Sequence, residues 1–196
     1  MGRRAHKQPE LGRAAIAGAV LSTVATMVQM AIVLYATSPP TLRVLGVPLL
    51  FGGSAAVGYG VLFAVRLARK RTEESSVHGR AFDLRSSLLF AGTVCLVLFA
   101  AAAVQQQWGG TGLLPAVAVA GFADAHAAAI SAASLVAAGK IAPADAALPI
   151  LAALSTNTVT KAVVALTTGR GRFAAQTIPG LLLVILAVWS GYLLTR

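Results

Sequence analysis

Two ionisable side chains lie in the apolar stretch Gly121-Phe122-Ala123-Asp124-Ala125-His126-Ala127. A second apolar stretch contains Asn157-Thr158-Val159-Thr160-Lys161. A charged residue in the middle of a membrane-spanning helix costs roughly 2.5–3.5 kcal/mol on insertion scales, and such residues are therefore functional candidates by default. The two stretches predict a polar site inside a membrane domain.

The composition is that of an integral membrane protein. Of the 196 residues, 57% are hydrophobic and 11% are charged, whereas soluble domains carry about 25% charged residues. The net charge of +10 comes mainly from basic residues between long apolar runs, which indicates membrane topology rather than a nucleic-acid surface. We expect the lipid bilayer, and no nucleic acid, as a partner.

The single cysteine, Cys95, excludes an internal disulfide and a Cys-rich metal site.

The apolar segments predict an all-α integral membrane fold with about six transmembrane helices. A basic cytoplasmic arm at residues 1–13 precedes a single polytopic membrane domain at residues 14–196. Each predicted helix has about the 20 residues needed to cross a bilayer, and the six cover residues 14–36, 44–65, 86–104, 112–138, 146–168 and 173–195.

The lysine and arginine distribution predicts the orientation of these six helices. With both termini inside, the cytoplasmic segments carry twelve basic residues and the outer segments carry three, as the positive-inside rule requires. Arg170 and Arg172 do not fit this arrangement. They would become cytoplasmic if the helix at 112–138, or another segment, were re-entrant rather than spanning.

A weak internal repeat relates two predicted helix pairs. Ala25-Thr26-Met27-Val28-Gln29 resembles the run at 157–161, and Pro48 and Pro179 are separated by the same offset to within one residue. The first two helices are therefore expected to correspond to the last two. Transporter folds often contain such repeats, with the binding site at the repeat interface.

Asp124 and Lys161 form the centre of the predicted site. If the fourth and fifth helices form an antiparallel hairpin that turns near Ala142, Asp124 lies at the depth of Thr160 and Lys161. The two residues would then form a midplane site for an ion, a proton or a substrate. The alternative is a structural pair that fixes helix register, and Lys161 could also snorkel outward.

Three further residues are candidates for ion or substrate binding. Ser131 lies seven residues after Asp124 on nearly the same face, and Asn157 lies one turn before Lys161. His126 lies about 200° around a straight helix from Asp124, so we expect it to face elsewhere unless the helix breaks at Gly121. Ordinary interhelical hydrogen bonding is the alternative role for all three. We predict no catalytic residue, cofactor or metal, because the common enzyme motifs are absent from the sequence.

The two polar runs resemble those of membrane domain of unknown function 4010, which is found at the C-terminus of many MgtC/SapB-type proteins. That family typically has Gly-x-x-Asp-x-Asp-Ala, followed by Asn-Thr-x-x-Lys in the next helix. Gly121, Asp124 and Ala127 match the first run, and residues 157–161 match the second. His126 replaces the second Asp of the family pattern, which removes one carboxylate and argues against a dication site.

The resemblance implies a prokaryotic inner-membrane protein linked to ion homeostasis or to regulation of another membrane protein. It covers residues 83–190 well and 11–65 loosely. We expect a stand-alone chain that begins late in the family domain. A second copy would supply the missing helices, so a homo-oligomer is expected.

The sequence thus predicts a transporter or channel for a small ion or solute, with Asp124, Asn157 and Lys161 at a midplane site. The alternative is a non-transporting membrane protein that binds and regulates another membrane protein. Such a protein would use small-residue helix faces, such as residues 52–60. An enzyme is not predicted, since no nucleophile or metal trio is seen.

Overall fold

The computed structural model describes residues 9–68, 113–169 and 171–196. In chain order the helices are α1 (Pro9–Thr37), α2 (Pro39–Ala68), α3 (Leu113–Ala123), α4 (Ala125–Ala137), α5 (Pro143–Val164) and α6 (Gly171–Leu194), and a π-helical turn at Ala165–Gly169 extends α5. Within these ranges, three helices are long and apolar enough to cross a membrane, at Pro39–Phe63, Pro143–Thr167 and Phe173–Leu194. The predicted helix at 86–104 lies outside the described residues.

Helices α1 and α2 are joined by a single residue, Ser38. The backbone N–H of Thr41 donates to the Ser38 carbonyl at 3.0 Å, and the Thr41 hydroxyl donates to the Ser38 hydroxyl at 2.9 Å. Both residues are buried. The polar groups of this reversal are therefore satisfied by one another, which a buried turn between two apolar helices requires.

Helices α2 and α6 pack closely and run antiparallel. Three contacts along their interface pair Pro48 with Gly191, Gly52 with Val188, and Tyr59 with Gly180. A Cβ atom on Gly191 would lie 2.9 Å from the Pro48 Cα, so glycine is needed for the two backbones to approach. Helix α6 thus covers the small-residue face at Gly52. If the protein regulated another membrane protein, that partner was expected to bind this face.

One end of the bundle is marked by a small apolar cluster. Ala165 and Phe173 are buried there, and Ala19, Tyr59 and Phe63 pack against them. We call this the Phe173 end. Helices α1 and α6 run away from it, while α2 and α5 run towards it. The N-terminal side of α1 and the C-terminal end of α6 therefore lie at opposite ends of the bundle, which differs from the predicted arrangement of both termini on one side.

The predicted spanning helix at 112–138 is wrong, because the chain breaks at Asp124. Asp124 has φ −154° and ψ 111°, which is extended backbone, and its carboxylate caps the next helix. The two resulting helices have 11 and 13 residues, or roughly 16 and 20 Å. Each is shorter than the roughly 30 Å of a hydrocarbon core.

Two hydrogen bonds fix the direction of α3. Thr156 and Thr160, one turn apart on α5, donate to the carbonyls of Ala118 at 2.7 Å and Phe122 at 3.0 Å, one turn apart on α3. Helix α3 is therefore parallel to α5. Helix α4 is antiparallel to α5, because a five-residue connection at 138–142 joins them. The chain thus reverses at Asp124, and the tip of this α3–α4 hairpin points towards the Phe173 end.

Candidate functional site

Asp124 lies at the tip of the α3–α4 hairpin and caps α4. Its Oδ1 atom accepts a hydrogen bond from the backbone N–H of His126 at 2.8 Å and lies 3.1 Å from His126 Nδ1. Aspartate is among the best N-cap residues, and a negative charge is favoured at a helix N-terminus. The carboxylate therefore has its partners within its own turn of chain.

His126 does not face away from Asp124, as expected for a straight helix. The break at Asp124 removes the helical geometry on which the expected angle of about 200° depends. The two side chains are instead in contact, with 24% of the His126 side chain and 43% of the Asp124 side chain exposed. The Nε2 atom of His126 is buried and has no hydrogen-bond partner in the described part of the chain.

Lys161 does not pair with Asp124. Its Nζ atom donates to the Thr26 hydroxyl of α1 at 2.9 Å, and that hydroxyl donates to the Ser22 carbonyl at 2.8 Å. In residues 9–68, 113–169 and 171–196, no ion pair within 4.0 Å involves Lys161. The predicted pairing fails because the Asp124 carboxylate caps α4, while α1 provides a buried acceptor for the ammonium.

The predicted common depth of the two residues agrees with the structure, although the reason differs. Thr160, next to Lys161, donates to the carbonyl of Phe122, two residues before Asp124. Asp124 and Lys161 lie at a common depth because α3 runs parallel to α5 and ends at the level of Thr160. One uninterrupted helix antiparallel to α5, as the sequence predicts, would give the same level for a different reason.

Asn157 and Ser131 occupy different environments. Asn157 is half-buried one turn before Lys161, and its side chain makes no hydrogen bond to another described residue. Ser131 is exposed on α4, while Ala128, Ala129, Ala132 and Ala133 form the buried face of that helix. The structure therefore brings Asp124 and His126 together and places Lys161 at their level, but leaves Ser131 outside this group.

Sequence reasoning missed the threonines that build the site. The sequence singles out Thr26 only as part of a repeat and Thr160 only as a residue at the depth of Asp124, and it does not single out Thr156. Gly121 is the residue of the sequence that could have indicated this contact, because its lack of a side chain lets α3 approach α5. A Cβ atom at this position would lie 2.5 Å from the Ala153 Cα and carbonyl oxygen. Glycine opposite small residues is a known mode of helix contact in membranes.

The long apolar helices, with a polar break in the middle of a helical hairpin, are those of a helical membrane protein. The chain belongs to the family described as Domain of unknown function (DUF4010), which matches residues 1–169. This match begins earlier than the resemblance indicated, and it ends before α6. No curated protein and no solved structure matches the chain. The relation to MgtC/SapB-type proteins stays a prediction, as does the internal repeat.

Proposed function

We propose that the protein is a membrane transporter or channel for a small ion or solute. The observation that carries this proposal is the helix break at Asp124 in an apolar hairpin. Non-helical backbone at membrane depth is tolerated only where it is buried in protein or lines a cavity. Interrupted helices whose ends meet near the midplane hold the substrates and coupling ions of many transporters.

The charges near the break support a binding role. Asp124 interacts with His126, and Lys161 interacts with Thr26, so the two opposite charges are not neutralised by each other. A lysine ammonium has three N–H donors, and Thr26 takes one of those on Lys161. Asn157 adds an amide without a described partner. The site therefore offers a carboxylate on one side and unused donors on the other.

We also propose a multi-pass protein of the prokaryotic inner membrane with a cytoplasmic N-terminus and a re-entrant α3–α4 hairpin. Arg170, which joins α5 to α6, and Arg172, at the start of α6, then lie on the side of the basic N-terminal arm. The other side carries Arg43, Lys140 and Arg196. The basic residues still divide twelve to three, and the misfit at Arg170 and Arg172 disappears.

Flux through proteoliposomes tests the proposed function. We would measure protons, Mg²⁺, K⁺ and chloride for the native chain, Asp124→Asn and Lys161→Met. Asparagine keeps an oxygen that can cap α4, and methionine keeps most of the lysine's length, so both variants should fold. Matched controls are Asp145→Asn and Lys140→Met, because both residues are exposed near the α4–α5 connection.

We expect flux of at least one ion to be lost in both site variants and kept in both controls. A native chain that moves none of the four ions would refute the proposal. In that case, Asp124 would be a helix cap and no more, and a protein that regulates another membrane protein would become the better description.

A further inference from the structure

The Asp124–His126 contact determines which ring nitrogen of His126 is free. An ionised carboxylate can accept hydrogen bonds but cannot donate one, so with Asp124 ionised the hydrogen between the two side chains belongs to Nδ1 of His126. The adjacent backbone N–H of His126 donates to the same Oδ1 atom. The imidazole ring is thus held through Nδ1, and Nε2 is the ring nitrogen that remains available to bind a proton or a ligand.

The free atom is buried without a partner, and this is true of either protonation state. A neutral ring presents a buried lone pair at Nε2, whereas a protonated ring presents a buried N–H. No described residue satisfies either one. An unsatisfied buried polar atom costs roughly 1–3 kcal/mol, so we expect Nε2 to have a partner beyond the described residues in both states, such as a water molecule that can carry a proton.

The helices packed against α4 supply no competing ion pair to the ring. Helix α3 contains no ionisable side chain. On α5, Lys161 donates to Thr26 and Asp145 is exposed near the α4–α5 connection. Residues 18–37 of α1 contain one ionisable group, the exposed Tyr35. Asp124 is therefore the charged partner of His126 in the described part of the chain.

A proton fits this site better than a metal ion does. A stable metal site needs three or more side-chain ligands, and no group of three His, Cys, Asp or Glu residues occurs in the ranges 9–68, 113–169 and 171–196. One nitrogen atom is enough to bind a proton, and histidine is the side chain best suited to do so near neutral pH.

We infer that His126 is the proton-binding group of the site and Asp124 its positioning residue, so that transport is coupled to protons. This inference rests on the proposed function. A proton from one side of the membrane binds the lone pair of Nε2 and forms an imidazolium, while Nδ1–H stays on Asp124. Loss of the same proton to the other side restores the neutral ring, with no change in oxidation state.

Proton flux into proteoliposomes, driven by a potassium diffusion potential and read with an entrapped pH-sensitive dye, tests the coupling. The variant is His126→Gln, which keeps a polar side chain but cannot carry a proton. The matched control is His78→Gln, in the polar segment at residues 66–85. We expect His126→Gln to fall to the level of empty liposomes and the control to match the native chain. Native-level proton flux in His126→Gln overturns the inference.

Two further outcomes separate the inference from the proposed function. A native chain that moves Mg²⁺, K⁺ or chloride at rates independent of pH, and moves no protons, overturns the coupling and leaves the transporter proposal standing. A native chain that moves no ion at all refutes both the transporter proposal and the coupling.

A measurement on the native chain tests the histidine itself and does not depend on a folded variant. Nitrogen-15 NMR of labelled histidine reports which ring nitrogens carry hydrogen. We expect the Nδ1–H form of His126 before proton uptake and a doubly protonated ring after it, as the pH is lowered. Asp124→Asn should change the tautomer mixture, because Nδ1 then faces a neutral amide in place of a carboxylate. A ring that keeps one protonation state throughout overturns the assignment.

Discussion

Replacing Gly121 with alanine tests the packing of the α3–α4 hairpin against α5. The new Cβ atom would lie 2.5 Å from both the Cα and the carbonyl oxygen of Ala153. Carbon atoms in good contact are about 3.5 Å apart, so α3 must move by roughly 1 Å. The neighbouring atoms belong to the backbone of α5, and they cannot rotate away as a flexible side chain would.

The expected loss of stability has two parts. Overpacking a tight contact costs about 1–3 kcal/mol. The displacement also strains the bonds from Thr156 and Thr160 to α3, and interhelical hydrogen bonds in membranes are worth about 0.6 kcal/mol each. Together these give a loss of about 2–4 kcal/mol in the free energy of unfolding.

The assay is unfolding of the purified protein in detergent, followed by helical circular dichroism. Gly58→Ala is the matched control, because a Cβ atom at Gly58 meets nothing within 4 Å and alanine favours a helix over glycine by about 0.5–1 kcal/mol. The control should therefore be as stable as the native chain or more so. If Gly121→Ala unfolds at the same point as Gly58→Ala, the described contact between α3 and α5 is incorrect.

Three further predictions use the same unfolding assay. Asp124→Ala removes the cap of α4 and should cost about 1 kcal/mol, whereas Asp124→Asn keeps an accepting oxygen and should cost less; equal losses would show that this accepting oxygen does not stabilise α4. Thr177→Val removes a buried hydroxyl that has no partner in the described residues and should preserve or raise stability, while Thr26→Val breaks a buried bond and should lower it. Trp189→Phe removes the indole N–H bond to the Ser155 hydroxyl, 3.1 Å long, and should cost about 0.6 kcal/mol; a loss of several kcal/mol would mean that the ring's packing dominates.

The long helices could be predicted from the sequence because apolar length alone determines them. The expected segments 14–36, 44–65 and 146–168 fall within observed helices or the π-helical turn after α5, and the segment 173–195 exceeds α6 by one residue. The break at Asp124 could not be found in this way, since the apolar run continues on both sides of it. An aspartate in such a run suggests both a functional charge and a helix cap, and here the same carboxylate acts as a cap.

The site could be predicted in part. Asp124, His126, Asn157 and Lys161 were recognised as polar residues in apolar surroundings, which requires no knowledge of the fold. Their partners could not be predicted, because the bond from Lys161 to Thr26 joins residues that are 135 positions apart. The Asp124–His126 contact depends on one residue's departure from helical backbone, and helical periodicity cannot reveal it.

The shortness of α3 and α4 has a consequence for the biosynthesis of the protein. Neither helix is long enough to enter a bilayer as a span of its own, and the Ala118 and Phe122 carbonyls of α3 accept hydrogen bonds from α5. The hairpin is synthesised before α5, so it leaves the ribosome without the helix that satisfies it. Its insertion is therefore expected to wait until Thr156 and Thr160 have emerged. A chain truncated before α5 should leave the hairpin outside the hydrocarbon core.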